Sequence, residues 1–398
     1  MVKKIKQAVI LAGGKGTRLK PFTDKNPKPM IPINGKPFLD HLIEMLKENG
    51  IEEVVILTGY LSGKIEEYFG HGSKFGVNIK YSFTPFLNEN GQENESGLRI
   101  KNAQDLLDDV FLLMYCDNYW PLQLEKLKKL YSEKETDALV TVYSNKDNST
   151  KNNILVDNSI VKKYDRARQE KNLNGVEIGF FILNKKVLDL IPEHNCHFER
   201  DILPELIAQE QVSGYLTDNK YYSISNLERA KLTEKFLAPK KVVFLDRDGV
   251  INKKAAKADY VKKWEEFEFL PGAIEGVKLL NEKGYQVFIA TNQPGIARGI
   301  MTKKDLEVIH QKMEQILEKQ GAKLAGIYCC IHGWDEGCEC RKPKSGLLFQ
   351  AARENNLDLT KTIFIGDDER DIQAGETAGC KTILINKNKN LLSICESL

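Results

Sequence analysis

The C-terminal part of the chain contains five short apolar runs, separated by stretches that mix apolar and polar residues. These runs span residues 241–245, 286–290, 326–330, 362–365 and 381–385. Strand-like runs that alternate with amphipathic segments predict a parallel sheet covered by helices. In such a sheet, ligands bind outside the carboxyl ends of the strands. We therefore expect the polar residues that follow the runs to meet at one edge.

The N-terminal part shows the same alternation. Its predicted strands span residues 7–11, 54–57, 111–115, 176–183 and 214–222, and a closing helix spans 226–236. Helical spacing is also shown by Phe38, Leu42 and Met45. The segment 237–240, Leu-Ala-Pro-Lys, is typical of a linker. The pattern predicts two α/β domains, 1–237 and 241–398, each a doubly wound and mostly parallel sheet.

The composition is that of an ordinary globular protein. Of the 398 residues, 41% are hydrophobic and 29% are charged, and the net charge is +2. This balance gives no basis for nucleic acid or an anionic membrane as the main partner. The apolar run 8–12 is too short for a signal peptide, and no stretch approaches the roughly 20 apolar residues of a membrane span. We expect a cytoplasmic protein.

A Gly-rich turn, Gly13-Gly14-Lys15-Gly16-Thr17-Arg18, follows the first predicted strand. Glycines let backbone amides approach phosphate oxygens, and consecutive N–H groups form an anion nest. Arg18 adds a fork of donors for a polyphosphate. The spacing is not that of a Walker motif, and the third glycine of a dinucleotide fingerprint is missing. On this segment alone, a phosphate site and a tight strand-to-helix turn both remain open.

The segment after the turn carries a family resemblance. Pro21, Thr23, Pro27-Lys28-Pro29-Met30 and Ile31-Pro32 continue it at the spacing of the sugar-1-phosphate nucleotidylyltransferases, which residues 5–235 resemble. The resemblance implies a Rossmann-like fold and a nucleoside triphosphate cradled by Gly13, Gly14, Gly16, Thr17 and Arg18. It also implies that Lys28 neutralises the α-phosphate and that Asp117 holds Mg²⁺. Catalysis of this transfer is mostly alignment and charge neutralisation.

Two positions depart from the pattern of that family. Ser223 stands where a second metal-binding Asp is usual, and Asp165-Arg166 replaces a Glu-Lys pair. Since a hydroxyl is a poorer Mg²⁺ ligand than a carboxylate, three alternatives stay open. Asp117 and the triphosphate hold the metal alone, the domain is slow or altered, or it binds nucleotide without catalysis. Glu177 and Gly179 are candidate sugar contacts, and the alternative for Glu177 is a solvated strand residue.

A second group of candidate catalytic residues follows the first C-terminal strand. Asp246 and Asp248 stand at i and i+2, so both carboxylates can face one phosphate while differing in environment. The stretch Phe244-Leu245-Asp246-Arg247-Asp248-Gly249-Val250 resembles the first motif of the haloacid dehalogenase-type phosphatases. The resemblance implies that Asp246 is the nucleophile and forms an aspartyl phosphate. It implies that Asp248 protonates the leaving alkoxide and then activates water.

The other motifs of that family follow in order. They imply phosphoryl contacts from Thr291, Asn292, Arg341 and Lys342. They imply Mg²⁺ ligands from Asp246, the carbonyl of Asp248 and Asp367, with support from Asp371. The alternative for any one acid is a helix N-cap or a turn residue. The stretches 259–261, 267–272 and 291–299 resemble the heptose-1,7-bisphosphate 7-phosphatases, and the related histidinol-phosphate phosphatases match less well.

A cysteine cluster lies between the Thr291-Asn292 motif and the Arg341-Lys342 motif. Cys330-Ile331-His332 and Cys338-Glu339-Cys340 offer three thiolates and one imidazole, which suit a closed tetrahedral Zn²⁺ site. The alternatives are a disulfide, which a cytoplasmic setting disfavours, or free thiols. The resembling family carries such a zinc loop, which would position Arg341 and Lys342. Cys329 is predicted to be a core residue.

Together the two resemblances predict a bifunctional enzyme that acts on sugar phosphates and a nucleoside triphosphate. The second domain would remove the 7-phosphate of a heptose 1,7-bisphosphate, and the first would couple the resulting 1-phosphate to a nucleotide, with GTP favoured. The stretch 96–101 resembles the glucose-1-phosphate cytidylyltransferases, so a cytidylyltransferase fused to a phosphatase is one alternative. An active phosphatase with a nucleotide-sugar-binding N-terminal domain is another. Base, anomer, oligomeric state and channelling stay open.

Overall fold

The computed structural model describes residues 4–256, 259–386 and 389–398. The chain divides into two compact units, the first ending at Leu237 and the second beginning at Ala238. Among the described residues, no helix combines the length and the apolar character needed to cross a lipid bilayer.

The first unit is built on a nine-stranded mixed sheet and two small ribbons. Its strands are β1 (Gln7–Leu11), β2 (Pro32–Ile33), β3 (Lys36–Pro37), β4 (Glu53–Thr58), β5 (Asn78–Phe83), β6 (Val110–Tyr115), β7 (Asn118–Tyr119), β8 (Ala138–Tyr143), β9 (Ile154–Asp157), β10 (Ile160–Tyr164), β11 (Val176–Asn184), β12 (Val212–Thr217) and β13 (Tyr222–Ser223). The large sheet has the order β5-β4-β1-β6-β11-β8-β12-β10-β9. The ribbons are β2 with β3 and β7 with β13.

The parallel part of this sheet creates a switch point. Strands β5, β4, β1 and β6 are mutually parallel, whereas β11 runs antiparallel to β6 and β8. The chain passes from β1 outward to β4 and β5, and β6 then returns to the other side of β1. The carboxyl ends of β1 and β6 therefore flank the crevice in which ligands of such sheets bind.

Both faces of this sheet are buried. Alternate residues of β1 point to opposite sides, so Ala8 and Ile10 join one core cluster while Val9 and Leu11 join another. The helices of the unit are α1 (Phe38–Glu48), α2 (Ser62–Phe69), α3 (Ser96–Asn102), α4 (Leu124–Lys134), α5 (Leu203–Ala208) and α6 (Leu227–Leu237). A continuous apolar run is what a strand buried on both faces requires.

The second unit contains a five-stranded parallel sheet. Its strands are β14 (Lys241–Leu245), β15 (Tyr285–Asn292), β16 (Gly326–Cys330), β17 (Thr362–Gly366) and β18 (Lys381–Leu384). Its helices are α7 (Ala273–Glu282), α8 (Lys303–Lys319), α9 (Gly346–Asn355), α10 (Glu369–Ala378) and α11 (Leu391–Glu396). The order β16-β15-β14-β17-β18 places the first strand at the centre, with β15 on one side and β17 on the other. The crevice at the carboxyl end of β14 is the switch point.

The predicted α/β fold class is confirmed in both units. The prediction of one strand over 214–222 is wrong, because the structure has β12 up to Thr217 and a separate β13. Polar residues in the intervening turn account for the break. The Asn219 N–H donates to the Thr217 hydroxyl oxygen at 3.1 Å, and the Asp218 carboxylate accepts from Ser144 and Lys146. As a result, Ser223 pairs with Asn118 in a ribbon and not with the large sheet.

Two candidate active sites

The Gly-rich turn lines a cavity of about 320 Å³ in the first unit. The predicted nucleotide-site residues that line this cavity are Gly13, Gly14, Gly16, Thr17, Arg18, Lys28 and Asp117. Two glycines are required by the geometry. A Cβ atom at Gly13 would lie 2.3 Å from a guanidinium nitrogen of Arg99, and Gly16 has φ of +66° with the Lys28 side chain packed against it. The turn is therefore built for close approach of the backbone.

A buried arginine supports this turn and was missed by the sequence reasoning. The Arg99 guanidinium donates hydrogen bonds to the carbonyls of Thr58, Thr84, Pro85 and Asn94. It thereby ties the end of β4 to the loop before α3, which brings Glu93, Asn94 and Glu95 to the cavity wall. A side chain that binds scattered carbonyls leaves no local sequence pattern.

Lys28 and Asp117 form an ion pair inside the cavity. Leu11 of β1 is the parallel partner of Tyr115 of β6, so the Gly-rich turn and Asp117 leave adjacent strand ends. Ser223 offers a hydroxyl to this region: its Oγ lies 3.1 Å from the Oγ of Ser225, and the Ile224 N–H donates to the Asp117 carbonyl. Among the described residues, Asp117 does not belong to any group of three acidic, His or Cys ligands. Asp117 and the two serine hydroxyls can therefore hold a cation only if the bound substrate supplies most of the ligands of that cation.

Glu177 and Gly179 do not line this cavity. The Gly179 N–H donates to the Glu177 carboxylate, and that carboxylate lies against Glu199. Burial and then the Glu199 charge raise the pKa of Glu177 well above its ordinary value, so it is not the solvated strand residue of the alternative. Tyr115 and His197 line the cavity instead. Tyr115 was missed because it ends the apolar run 111–115, and His197 was missed because it lies outside the motifs of the family resemblance.

The second unit has a cavity of about 440 Å³ at the carboxyl edge of its sheet. The structure brings together there the predicted residues Asp246, Asp248, Thr291, Asn292, Arg341, Lys342 and Asp371. Asp246 follows β14, Thr291 and Asn292 end β15, and Asp371 lies in the first turn of α10. The switch point of the sheet accounts for this convergence.

Lys342 is buried at the base of this cavity. Its ammonium donates to Asp246 Oδ1 at 2.8 Å, to the Ala290 carbonyl at 2.7 Å and contacts Asp371 Oδ1 at 2.6 Å. Burial alone would lower the pKa of Lys342, but the two carboxylates outweigh it and raise the pKa. A permanently charged donor is thus fixed beside Asp246, where it can neutralise an anion.

Asp246 and Asp248 have different environments. Burial raises the pKa of Asp246, and the Lys342 charge opposes this only in part. Burial would also raise the pKa of Asp248, but the Arg247 charge and hydrogen bonds from Asn252 and Arg247 lower it instead. The two carboxyls thus differ in their partners: the Lys342 ammonium holds Asp246, whereas Arg247 and Asn252 hold Asp248.

The end of β15 positions its neighbours through hydrogen bonds. The Asn292 amide donates to the Lys342 carbonyl at 3.0 Å and accepts from the Lys342 N–H at 3.1 Å. Asn292 therefore holds the backbone of Lys342 in place. Gln293, which the sequence reasoning did not select, donates to Asp248 Oδ2 at 2.6 Å and to Thr291 Oγ1 at 3.0 Å. The stretch 291–299 contained Gln293, but a resemblance does not reveal which amide bridges two site residues.

Three carboxylates beside β14 form a candidate cation site. Oxygens of Asp246, Asp367 and Asp371 lie within 4.8 Å of one another. Gly249 has φ of +96°, and a Cβ there would lie 2.0 Å from Asp367 Oδ2, so glycine lets Asp367 approach. The Lys254 ammonium lies 2.7 Å from that same oxygen, and the buried Asp367 Oδ1 has no hydrogen-bond partner among the described residues. Because the Lys254 ammonium already binds the Asp367 carboxylate, these carboxylates fit a hard cation such as Mg²⁺.

The cysteine cluster has the dimensions of a zinc site. Cys330 Sγ lies 3.7 Å from Cys338 Sγ and 3.7 Å from His332 Nδ1, while Cys340 Sγ lies 3.6 Å from Cys338 Sγ and 3.2 Å from His332 Nδ1. A tetrahedron with Zn–S bonds of about 2.3 Å has edges of about 3.8 Å. The four residues therefore fit Zn²⁺, and none of these cysteines is in a disulfide. Cys329 lies outside the group.

Comparisons with known proteins match the two parts of the chain to different family models. Residues 7–265 match the family model of nucleotidyl transferases, and residues 241–385 match that of polynucleotide kinase 3 phosphatases. The first match overlaps the second because it continues beyond Ala238, where the structure begins a separate unit.

Two curated relatives and one solved structure are similar to parts of the chain. A D-glycero-β-D-manno-heptose-1,7-bisphosphate 7-phosphatase of Pseudomonas aeruginosa is 37% identical over 157 residues, 39% of this chain and 87% of that protein. A D-glycero-α-D-manno-heptose-1,7-bisphosphate 7-phosphatase of Campylobacter jejuni is 47% identical over 150 residues, 37% of this chain and 84% of that protein. A structure from Bacillus anthracis, proposed to be a glucose-1-phosphate thymidylyltransferase, is 19% identical, covers 59% of this chain and 97% of its own, and has a TM-score of 0.51, which shows the fold alone. The chain thus belongs to the nucleotidyl transferase family and carries, in addition, a member of the heptose-1,7-bisphosphate 7-phosphatase family.

Proposed function

We propose that the chain is a bifunctional enzyme of nucleotide-activated heptose synthesis. Its second unit removes the 7-phosphate of a D-glycero-D-manno-heptose 1,7-bisphosphate. Its first unit then transfers GMP from GTP to the 1-phosphate. The observation that carries the proposal is the buried Lys342 ammonium between Asp246 and Asp371, since it equips the phosphatase-like unit for phosphoryl transfer. The proposed substrates, which are phosphorylated sugars and a nucleoside triphosphate, lead us to propose a cytoplasmic location.

Hydrolysis begins with attack by Asp246. The Lys342 ammonium and the Arg247 N–H both bond to Oδ1, so Oδ2 is the attacking oxygen. It forms a bond to phosphorus while the bond from phosphorus to the sugar oxygen breaks, and Asp248, protonated in the complex with the phosphate ester, gives its proton to that oxygen. Asp248 then takes a proton from water, which attacks the aspartyl phosphate. Inorganic phosphate leaves and Asp246 is regenerated.

The charges around the phosphoryl group are supplied by residues of the cavity. Lys342 neutralises phosphoryl oxygens, with Thr291 as a hydrogen-bond partner and Arg341 at the rim. Asp246, Asp367 and the Asp248 carbonyl would hold Mg²⁺, and this ion, when bound, offsets the charge of the phosphoryl oxygens. The proposed zinc ligands Cys330, His332, Cys338 and Cys340 hold the loop that delivers Arg341 and Lys342.

Nucleotidyl transfer uses the first cavity. An oxygen of the sugar 1-phosphate attacks the α-phosphorus, the bond to the β-phosphate oxygen breaks, and pyrophosphate leaves. The turn from Gly13 to Thr17 offers backbone N–H groups, and Arg18 and Lys28 offer positive charge. Asp117 would hold Mg²⁺ together with oxygens of the triphosphate.

A second candidate rests on Ser223. Because this residue and Ser225 bring hydroxyls and no second carboxylate to the Asp117 region, the first unit could be a nucleotide-sugar binder attached to an active phosphatase. The alternative base, cytosine, rests on the sequence of α3. Both alternatives are separated from the proposal by product measurements.

The test uses the full chain with Mg²⁺ and Zn²⁺, heptose 1,7-bisphosphate and each of the four common nucleoside triphosphates. Phosphate and pyrophosphate are measured separately. We expect phosphate release in every case and pyrophosphate release with GTP. Asp246→Asn should abolish the first product, and Asp117→Asn should abolish pyrophosphate when heptose 1-phosphate is supplied. No pyrophosphate with any nucleotide would favour the binding role, and pyrophosphate with CTP alone would favour the cytidylyltransferase.

A further inference from the structure

A buried arginine stands between the two aspartates of the phosphatase site. The Arg247 side chain has no solvent exposure. Its Nη2 lies 3.0 Å from both carboxylate oxygens of Asp248, and its Nη1 lies 3.2 Å from the Nε2 atom of His310. One guanidinium therefore joins a site carboxylate to a residue 63 positions later in the chain.

His310 can play only one part in this contact. A guanidinium has donors and no acceptor, so the Nε2 atom of His310 must accept and the imidazole must be neutral with its proton on Nδ1. Burial, followed by the Arg247 charge, lowers the pKa of His310 to about 3. The imidazole is thus a permanent acceptor for Arg247.

The position of His310 is set by α8. This helix begins with a capping box in which Thr302 and Asp305 exchange hydrogen bonds. Its face toward the core carries the buried residues Leu306, Ile309 and Met313, and the half-buried His310 follows Ile309. The helix is therefore a rigid support that lies outside every motif that carries the phosphatase resemblance.

The remaining contacts of Asp248 show why its orientation matters. Asn252 Nδ2 donates to Oδ1 at 2.9 Å and Gln293 Nε2 donates to Oδ2 at 2.6 Å. These two amides and the Arg247 guanidinium fix the plane of the carboxylate from different sides. Without Arg247 in place, the carboxyl could rotate about its own axis, and its proton would not be aimed at the sugar oxygen.

We propose that His310 is a positioning residue for proton transfer, which acts through Arg247 to hold the Asp248 carboxyl toward the leaving-group oxygen. The inference rests on the proposed phosphatase function of this unit. It assigns to α8 a part in the reaction, although His310 touches no reacting atom. This role can be distinguished from a purely structural one by experiment. A loss of proton transfer slows only those substrates whose leaving group must be protonated, whereas a loss of stability affects all substrates.

Leaving groups provide the test. An alkoxide must be protonated as it leaves, whereas p-nitrophenolate leaves without a proton. In the full chain with Mg²⁺ and Zn²⁺, we would measure kcat/KM for heptose 1,7-bisphosphate and for p-nitrophenyl phosphate. For each substrate, kcat/KM depends only on the steps up to and including the first phosphoryl transfer. The later hydrolysis of the aspartyl phosphate therefore does not obscure the result. We expect His310→Leu to lower the value for the bisphosphate roughly 10- to 100-fold, a part of the ~10²–10⁴ that a positioned acid contributes, and to leave the aryl phosphate nearly unchanged.

Two further variants serve as controls for this comparison. His310→Gln retains an acceptor near the place of Nε2 and should restore most of the activity on the bisphosphate. Met313→Ala removes buried mass from the same helix but retains the His310 side chain that bonds to Arg247. It should destabilise the unit without distinguishing the two substrates. Its thermal unfolding also shows how much lost stability alone affects the rates.

An equal loss on both substrates in His310→Leu, or no loss on either, would overturn the inference. The same holds if His310→Gln behaves as His310→Leu does. If the wild type releases no phosphate from heptose bisphosphate, the proposed substrate fails. Fructose 1,6-bisphosphate then serves as the alkyl phosphate, and a selective loss still supports the role of His310 while an equal loss still refutes it.

Discussion

The Lys342 ammonium lies 2.6 Å from a carboxylate oxygen of Asp371, and both side chains are almost wholly buried. Lys342 comes from the loop after β16, whereas Asp371 belongs to the first turn of α10, where its other oxygen accepts from the Asp368 N–H at 3.2 Å. Asp371 is thus both a helix cap and the partner of a buried cation. Its second function depends on its charge, since a cap can be formed by a neutral group.

Asp371→Asn tests that distinction. Asparagine can still cap the helix. Of the two carboxylates that contact the buried Lys342 ammonium, however, only Asp246 then remains. We expect the free energy of unfolding to fall by about 1–3 kcal/mol and phosphate release to fall roughly 10- to 100-fold. Thermal or urea unfolding and a phosphate assay check both values.

Glu369→Gln is the matched control for this change. It also neutralises a carboxylate in the first turn of α10, but Glu369 is exposed and outside the cavity. Its effect on stability and rate should be small. If Asp371→Asn and Glu369→Gln have the same effect, the Lys342 contact is not what makes Asp371 important.

The cysteine cluster predicts a zinc-dependent phosphatase activity. Cys338→Ala removes one of the four candidate ligands, so we expect loss of bound zinc by metal analysis and loss of most phosphate release, because Lys342 follows two residues after Cys340. Cys329→Ala is the control, since its sulfur lies outside the cluster. If Cys338→Ala retains one zinc per chain, the assignment of the ligands is wrong.

The sequence was sufficient for those parts of the sites that lie in short contiguous motifs. The runs before Gly13 and Asp246 are strands with the predicted bounds, 7–11 and 241–245. A parallel sheet brings such strand ends together whatever the intervening sequence, so the convergence of Asp246 with Lys342 could be predicted. The cysteine spacing likewise predicted four candidate ligands, and the structure brings their ligand atoms within 4.8 Å of one another.

Contacts between distant, individually unremarkable residues could not be predicted. Arg99 binds carbonyls, and Gln293 and His310 act on Asp248 directly or through Arg247. Such residues have no characteristic spacing, because their partners are set by how helices and loops pack. The break between β12 and β13 had a similar cause, since it coincides with a local hydrogen bond from the Asn219 N–H to the Thr217 side chain.

Lys28 is expected to be the main cation for nucleotidyl transfer. Lys28→Gln removes the charge beside Asp117 and should lower kcat for pyrophosphate release by about 10²–10³, the range for losing one preorganised electrostatic donor. Lys20→Gln removes an exposed lysine nearby that pairs with Asp24, and it should change little. A comparable loss in both variants would indicate that only the general positive charge of the segment matters.

Ser223→Asp is expected to create a magnesium-dependent gain in stability. The new carboxylate would be buried near Asp117, so without a cation it should lower the melting temperature. Mg²⁺ should restore part of the loss and reach half-saturation at a lower concentration than in the wild type. Ser223→Asn has the same shape without the charge and should show no such response. An unchanged Mg²⁺ requirement in Ser223→Asp would place the ion elsewhere.

Glu177 gives a pH dependence that can be measured against an exposed glutamate. Burial, followed by the Glu199 carboxylate, raises the pKa of Glu177 well above 4.5. Since the folded chain binds this proton more tightly than the unfolded chain, the associated stability is complete below 4.5 and is lost as the pH rises through the folded-state pKa. Glu177→Gln should therefore unfold at a temperature close to that of the wild type near pH 4.5 and at a higher temperature at about pH 8. Glu133→Gln, on the exposed face of α4, should follow the wild type throughout. A difference between Glu177→Gln and wild type that stays constant with pH would mean that Glu177 is ionised in the folded protein.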